Sequence, residues 1–66
     1  MEDVPRLEYD WCQMVGKYVE IRREGIPVRT GLVDVVTADD GILWIAANGA
    51  ECRALYERAH GYSVWV

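Results

Sequence analysis

The pattern of apolar and polar residues changes once along the chain, near residue 16. Before it, apolar residues recur at the i, i+4, i+7 and i+8 spacing that places them on one face of a helix. They are Leu7, Trp11, Met14 and Val15. Asp3 is a residue type that caps a helix N-terminus, and Gly16 is one that ends a helix in the left-handed conformation. The pattern predicts a short α-helix within residues 1–15.

After residue 16 the apolar residues follow the two-residue period of β-strands. Val19 and Ile21 alternate with Tyr18, Glu20 and Arg22, which is typical of a strand with one buried face. Residues 42–47 are apolar on both faces, so both faces of that strand need to be covered. Strands are predicted at residues 17–24, 28–36, 42–47, 50–56 and 62–66, with a single helical turn at 57–61.

The second predicted strand carries a glycine, Gly31, among β-branched residues. A glycine in a strand permits a bend, or a close approach of another segment where a Cβ atom would collide. Asp39-Asp40-Gly41 and Asn48-Gly49 are turn sequences that favour antiparallel connections. The prediction is a mainly β domain in which a short N-terminal α-helix precedes a five-stranded, strongly bent antiparallel barrel over residues 17–66.

The length of the chain limits the size of its core. Its 66 residues form one domain, residues 1–66, and a domain of this size buries only about 60% of its unfolded surface. Cys12 and Cys52 form no CxxC pair and have no histidine nearby. We therefore expect two reduced, buried thiols, no metal site and no cofactor. Without a secretory signal pattern or a long apolar run, the expected location is cytoplasmic and away from membranes.

The net charge is −4, from eleven acidic and seven basic residues, which argues against nonspecific coating of DNA. Six of the seven basic residues follow residue 15, so a local cationic surface is compatible with the acidic total. The chain contains one histidine and one serine, which makes a Ser-His-Asp or Cys-His relay an unfavoured interpretation. We expect a protein that is not an enzyme.

One family has a similar arrangement of motifs. Residues 15–21, Val-Gly-Lys-Tyr-Val-Glu-Ile, followed by Gly25, Gly31, Val33, Asp40 and Leu43, resemble the first motif of the Sm-like (Lsm) proteins. Residues 59–64, Ala-His-Gly-Tyr-Ser-Val, are similar to the second motif, in which an apolar residue, Arg and Gly lead into the last strand. The resemblance covers most of the chain. It implies an SH3-like barrel of the Sm type, a homo-oligomeric ring, and binding of RNA or single-stranded nucleic acid.

The resemblance also implies where these functions lie. It places nucleic-acid contacts at the two motifs, at Asp40, Leu43, Trp44, Arg58, His60, Gly61 and Tyr62. It places subunit contacts where the last strand of one copy pairs with the fourth strand of the next, at Arg53, Leu55, Ser63, Val64, Trp65 and Val66. The last strand is β-prone and poor in charge, so pairing with a neighbour would protect it from aggregation.

Two departures from the family pattern bear on the ligand. Leu43 or Trp44 occupies the position of the uracil-binding Asn, and His60 that of the Arg in the second motif. Specific uridine recognition is therefore doubtful, whereas bases can still stack on Trp44 or Tyr62. The alternative hypothesis is an SH3-like protein-interaction or assembly module that holds a partner on an apolar exterior face and has no nucleic-acid role.

Overall fold

The fold is an antiparallel β-sheet of six strands, seen in a computed structural model that describes residues 4–66. The strands are β1 (Leu7–Glu8), β2 (Tyr18–Arg23), β3 (Ile26–Val36), β4 (Ile42–Ile45), β5 (Ala54–Glu57) and β6 (Tyr62–Trp65). Two 3-10 helices, Trp11–Met14 and Arg58–His60, precede β2 and β6. The strand order is β1-β6-β2-β3-β4-β5, so β1 and β5 form the two edges of the sheet.

The α-helix predicted within residues 1–15 is wrong. Leu7 and Glu8 form a short strand that pairs with Trp65 and Val64, and within residues 4–66 the longest helix is the four-residue 3-10 helix Trp11–Met14. Its one turn already buries Trp11 and Met14, so the apolar spacing is satisfied without an α-helix. A short α-helix has little stability of its own, and pairing with β6 satisfies the backbone instead. The predicted cap, Asp3, lies outside the described residues.

The predicted five-stranded barrel is also wrong in its strand count and closure. The additional strand is β1, and the sheet is open, with β1 and β5 unpaired on their outer sides among the described residues. The predicted strand at residues 50–56 begins at Ala54, because the segment before it makes only a single bridge between Asn48 and Glu51. The predicted helical turn before the last strand is confirmed as Arg58–His60. No helix in the described part of the chain has the length and apolar character needed to cross a membrane.

The long strand β3 connects the two halves of the sheet. Its first part pairs with β2 and its last part with β4, with register shifts in both ladders. Gly31 lies in this strand, and a Cβ atom added there would lie 2.5 Å from Cγ2 of Ile45. The predicted need for glycine is therefore confirmed, because it lets β3 pass close to β4.

The core lies on the inner face of the sheet. Among residues 4–66 it contains eight buried apolar residues: Trp11, Met14, Val19, Ile21, Val33, Leu43, Ile45 and Val64. Cys12 and Cys52 are free and exposed, so the expectation that both thiols are buried is wrong. Each lies outside the regular strands, where the alternation that buries side chains does not apply.

We expect Gly31→Ala to lower the free energy of unfolding by about 1 to 3 kcal/mol, because the added methyl group overpacks the contact with Ile45. Urea denaturation followed by tryptophan fluorescence measures this change. Thr30→Ala, at an exposed position of the same strand, is the control and should cost less than about 1 kcal/mol. Equal losses in the two variants would contradict the close approach of the strands.

Candidate functional site

The residues predicted to contact nucleic acid occupy different environments. Leu43 is fully buried in the core and is inaccessible to a ligand. Trp44 lies half-buried on the outer face of β4, with the Arg53 guanidinium 4.2 Å from its ring centroid. The cation therefore already covers one face of the ring on which a base would stack.

Asp40 and Arg58 bind each other in an internal ion pair. Arg58 donates from a terminal guanidinium nitrogen to Asp40 Oδ2 at 2.7 Å and from Nε to the Asp40 carbonyl at 3.0 Å. It also donates to the carbonyl of Tyr9 at 2.8 Å, and its guanidinium lies 4.2 Å from the ring centroid of Trp11. We call Asp40, Arg58 and Trp11 the clamp, because they join the first 3-10 helix, the β3–β4 turn and the second 3-10 helix.

The Asp40 carboxylate also caps the first 3-10 helix. It accepts hydrogen bonds from the backbone N–H groups of Trp11 at 3.1 Å and Cys12 at 2.7 Å. Burial opposes its ionisation, but these N–H donors, the Cys12 side chain and the Arg58 charge outweigh burial and lower the pKa of Asp40. The backbone of Asp40 is in the left-handed region, with a φ of 64°. The residue holds the fold together, which leaves it few free acceptor sites for a ligand.

The remaining residues of the second motif are spread over a turn and a strand. The His60 side chain is mostly exposed and lies 3.6 Å from a Glu57 carboxylate oxygen. Gly61 adopts a φ of 88° and ends the second 3-10 helix. Tyr62 packs edge-on against Tyr56, with ring centroids 5.0 Å apart, and the Arg23 guanidinium lies 5.4 Å from its ring centroid. These contacts hold the strand β6 and the turn before it within the fold.

The predicted subunit contacts divide between core, inner strand and edge. Val64 belongs to the core, and β6 is paired with β2 on one side and β1 on the other. Val66 continues this pairing by exchanging backbone hydrogen bonds with Arg6. Ser63 and Trp65 also lie on β6, whereas Leu55 lies on the edge strand β5 and Arg53 directly precedes it. Of the two strands that the ring prediction uses, β5 is the one whose outer side has no pairing partner in the part of the chain that the structure describes.

Three potential metal ligands lie together beside the clamp. One ligand atom each from Asp10, Cys12 and Asp40 lies within 4.8 Å of the others. The Cys12 thiol lies 3.5 Å from the Thr37 carbonyl oxygen. Its interaction with the neighbouring Asp40 carboxylate is the largest cause that raises the pKa of the thiol, followed by desolvation and the charges of nearby carboxylates. A protonated thiol and a carboxylate already bound to Arg58 are poor metal ligands. Contacts within the fold therefore account for Asp40 and Cys12, two of the three residues of this cluster.

The structure contains a groove that the sequence did not identify as a site. It has a volume of about 270 Å³, is open to solvent, and lies over β2, β3 and β6. Its lining residues are mostly apolar: Pro5, Tyr18, Val19, Glu20, Thr30, Trp65 and Val66. Tyr18 and Glu20 alternate with core residues in the sequence, but the position of Trp65 beside them follows from the β2–β6 pairing, which sequence spacing alone does not reveal.

Hydrogen bonds and stacking hold the aromatic side chains of the groove. Trp65 donates from Nε1 to Ser63 Oγ at 2.9 Å, and Ser63 donates to the Arg22 carbonyl at 3.2 Å. The Arg22 guanidinium lies 4.3 Å from the Trp65 ring centroid and forms an ion pair with Glu20. The guanidinium covers one face of the indole, as Arg53 does for Trp44, so a ligand contacts the remaining exposed part of the ring. These contacts fix the indole before any ligand binds, which reduces the entropy lost on binding.

Tyr18 forms the exposed wall of the groove. Its side chain is 64% exposed, and its hydroxyl accepts a hydrogen bond from Asn48 Nδ2 at 3.3 Å. In the β2–β3 pairing it lies opposite Leu32, which is also exposed. An exposed tyrosine beside an exposed leucine extends the apolar surface beyond the groove.

No family model, curated protein or solved structure matches this chain. The resemblance to Sm-like proteins therefore stays a prediction.

We expect Arg58→Ala to lower the free energy of unfolding by about 2 kcal/mol, because it removes charge-assisted hydrogen bonds to three acceptors at once. Thermal or urea denaturation measures the loss. Arg23→Ala removes a guanidinium from above an aromatic ring without breaking an ion pair found among the described residues, and it should cost less than about 1 kcal/mol. If both variants are equally stable, the clamp does not support the fold.

The clamp also predicts acid sensitivity. Hydrogen bonds from Thr37 and Gly41 lower the pKa of Asp39, as the contacts described above do for Asp40. Both groups thus stabilise the fold above the ordinary aspartate pKa of about 4, and this stability is lost as the pH falls through their lower folded values. The urea midpoint should fall between pH 5 and pH 2, and Asp40→Asn should lower it at pH 7 and flatten its pH dependence.

Asp34→Asn is the control for this measurement, because it removes a carboxylate from an exposed ion pair and leaves Asp39 and Asp40 in place. It should keep the acid sensitivity of the unchanged protein. A pH profile of Asp40→Asn that is as steep as that of the unchanged protein would exclude Asp40 as its source.

Proposed function

We propose that this protein is a non-catalytic interaction module that binds an extended, apolar, proline-containing peptide segment in the groove on β2, β3 and β6. The observation that carries the proposal is the pre-formed aromatic lining of this groove, with Tyr18 and Trp65 as its two aromatic residues. Proline-rich segments dock into aromatic-lined grooves in their pre-extended conformation, which costs little entropy.

The size and chemistry of the groove support a peptide of this kind. Its volume is near the lower limit of ligand pockets, roughly 300 Å³, which suits a short segment. Among the lining residues that the structure describes, Glu20 is the one with a side-chain carboxylate, and it forms an ion pair with Arg22 that leaves it only partly available to a ligand. Apolar contacts and aromatic stacking would therefore supply most of the affinity.

The charge distribution favours a peptide over the RNA ligand that the sequence resemblance predicts. Ion pairs with carboxylates engage four arginines in the described part of the chain: Arg22, Arg29, Arg53 and Arg58. Phosphate binding depends on cations that release counterions on contact, and cations already paired to carboxylates contribute less to it. The net charge of −4 acts in the same direction.

Titration of the ¹⁵N-labelled protein with a proline-leucine decapeptide tests the proposal. We expect saturable chemical-shift changes centred on Tyr18, Thr30 and Trp65, since these residues line the groove. Tyr18→Ala should weaken binding about tenfold, because an exposed aromatic anchor contributes about 1.4 kcal/mol or more.

Tyr9→Ala is the matched control, because Tyr9 is a similarly exposed tyrosine that is absent from the groove lining. It should leave the affinity for the peptide unchanged. Oligo-U and oligo-A at low salt form the second arm of the experiment. Saturable binding of either RNA without peptide binding would replace the proposal with the nucleic-acid function, and equal loss of peptide binding in both tyrosine variants would exclude the groove.

A further inference from the structure

Within residues 4–66, the outer side of the edge strand β5 has no pairing partner, and its backbone groups at alternate residues face outward. The backbone N–H of Arg58 donates to the Gly41 carbonyl of the β4 side at 2.8 Å. Because hydrogen-bonded and non-hydrogen-bonded pairs alternate in an antiparallel ladder, Tyr56 and Ala54 also bind β4. The N–H and C=O groups of Leu55 and Glu57 then face away from the sheet, and Arg53 directly precedes the strand.

An apolar stripe on the outer face of the sheet ends at this free edge. Val35 lies opposite Trp44, and Trp44 lies opposite Leu55, so the three side chains share one face. Val35 and Leu55 are each more than two-fifths exposed. An apolar stripe that reaches an unpaired strand edge is suited to pairing with another strand.

We propose that two copies of this chain form a symmetric dimer by antiparallel pairing of β5 with β5 about a two-fold axis at Leu55. In this register Leu55 lies opposite Leu55 of the second copy. Arg53 of each copy lies opposite Glu57 of the other, so this pair occurs once on each side of the axis. The outward backbone groups of Leu55 and Glu57 are then paired, and β5 is extended by one residue so that Arg53 joins the new ladder. The two apolar stripes also become one continuous band across six strands.

Charge selects this register over its neighbours. A shift of one pairing step in either direction places Leu55 opposite Arg53 or opposite Glu57 of the second copy, so an apolar side chain would face a charge. The register centred on Leu55 instead matches apolar side chains at the centre and sets opposite charges against each other at both ends. Arg53 and Glu57 already form exposed ion pairs with Asp34 and His60 of their own copy, and each gains a second partner of opposite charge across the axis. The same edge contains both signs of charge, which is what pairing with a second identical copy requires.

Exchange of the charges tests both the edge and the symmetry. Light scattering should give twice the chain mass of 7.5 kDa for the unchanged protein at high concentration. Arg53→Glu alone and Glu57→Arg alone each place like charges opposite one another twice, so each should raise the dimer dissociation constant at least about tenfold. In an equimolar mixture of the two variants, the two acidic positions of one chain lie opposite the two basic positions of the other. The mixture should therefore form a heterodimer. Arg23→Glu, an exposed charge change on β2, is the control and should leave the dimer unchanged.

A disulfide across the axis provides an independent measurement. In a Cys12→Ser, Cys52→Ser background, Leu55→Cys should give a covalent dimer under mild oxidation, because the paired Cα atoms would lie about 5.5 Å apart. Val35→Cys is the matched control: it is exposed on the same stripe, but its two copies would be five strand spacings apart, about 24 Å. Circular dichroism confirms that each variant is folded.

Several results would overturn this dimer. They are a monomer at millimolar concentration, a mixture of the charge variants that does not associate, and a cross-link that forms as readily through Val35→Cys as through Leu55→Cys. A mass of five to seven chains would likewise contradict it, because one two-fold contact joins only two chains. Because β5 lies apart from the residues that line the groove, loss of the dimer leaves the peptide-binding test unaffected.

Discussion

The Asp40 carboxylate is the group on which the arrangement of this small sheet depends. It accepts two backbone N–H groups of the first 3-10 helix and one guanidinium of the second, so that segments distant in the sequence meet at one side chain. Trp11, a large part of the core, lies directly under that guanidinium. In a chain this short the apolar core alone provides little stability, and an ion pair with several hydrogen bonds contributes a substantial share.

The β-strands were largely predictable from the sequence, whereas the N-terminal segment was not. Alternation around Val19 and Ile21, and glycine at position 31, are local signals with a direct physical meaning, and both correspond to the structure. The spacing of Leu7, Trp11 and Met14 is compatible with an α-helix. It is equally compatible with a short strand followed by one turn of 3-10 helix, which is what the structure has. What decides between them is the long-range pairing of Leu7 with Trp65, which carries no sequence signal of its own.

The same limit applies to the candidate site. Asp40 and Arg58 have the charge and the turn context of ligand-binding residues, but their mutual contact joins positions 18 residues apart and is visible only in the fold. The groove combines side chains from β2, β3 and β6, and its rigidity comes from a Trp65–Ser63 hydrogen bond within one strand. The sequence shows which residues of one strand share a face. The order of the strands in the sheet, which the sequence does not show, determines which residues of different strands become neighbours on that face.

The shortness of β1 has a consequence for the groove. This strand contributes two residues, and the chain just before it supplies Pro5 to the groove lining and Arg6 to the last backbone pairing with Val66. An edge strand with so few contacts opens at a lower free energy than the interior of the sheet. Fraying of this end would therefore remove one wall of the cleft, and an occupant that touches Pro5 and Val66 would suppress that fraying in proportion to its concentration. Hydrogen exchange of the Arg6 and Val66 backbone amides would then slow as the fraction of grooves occupied by a ligand rises.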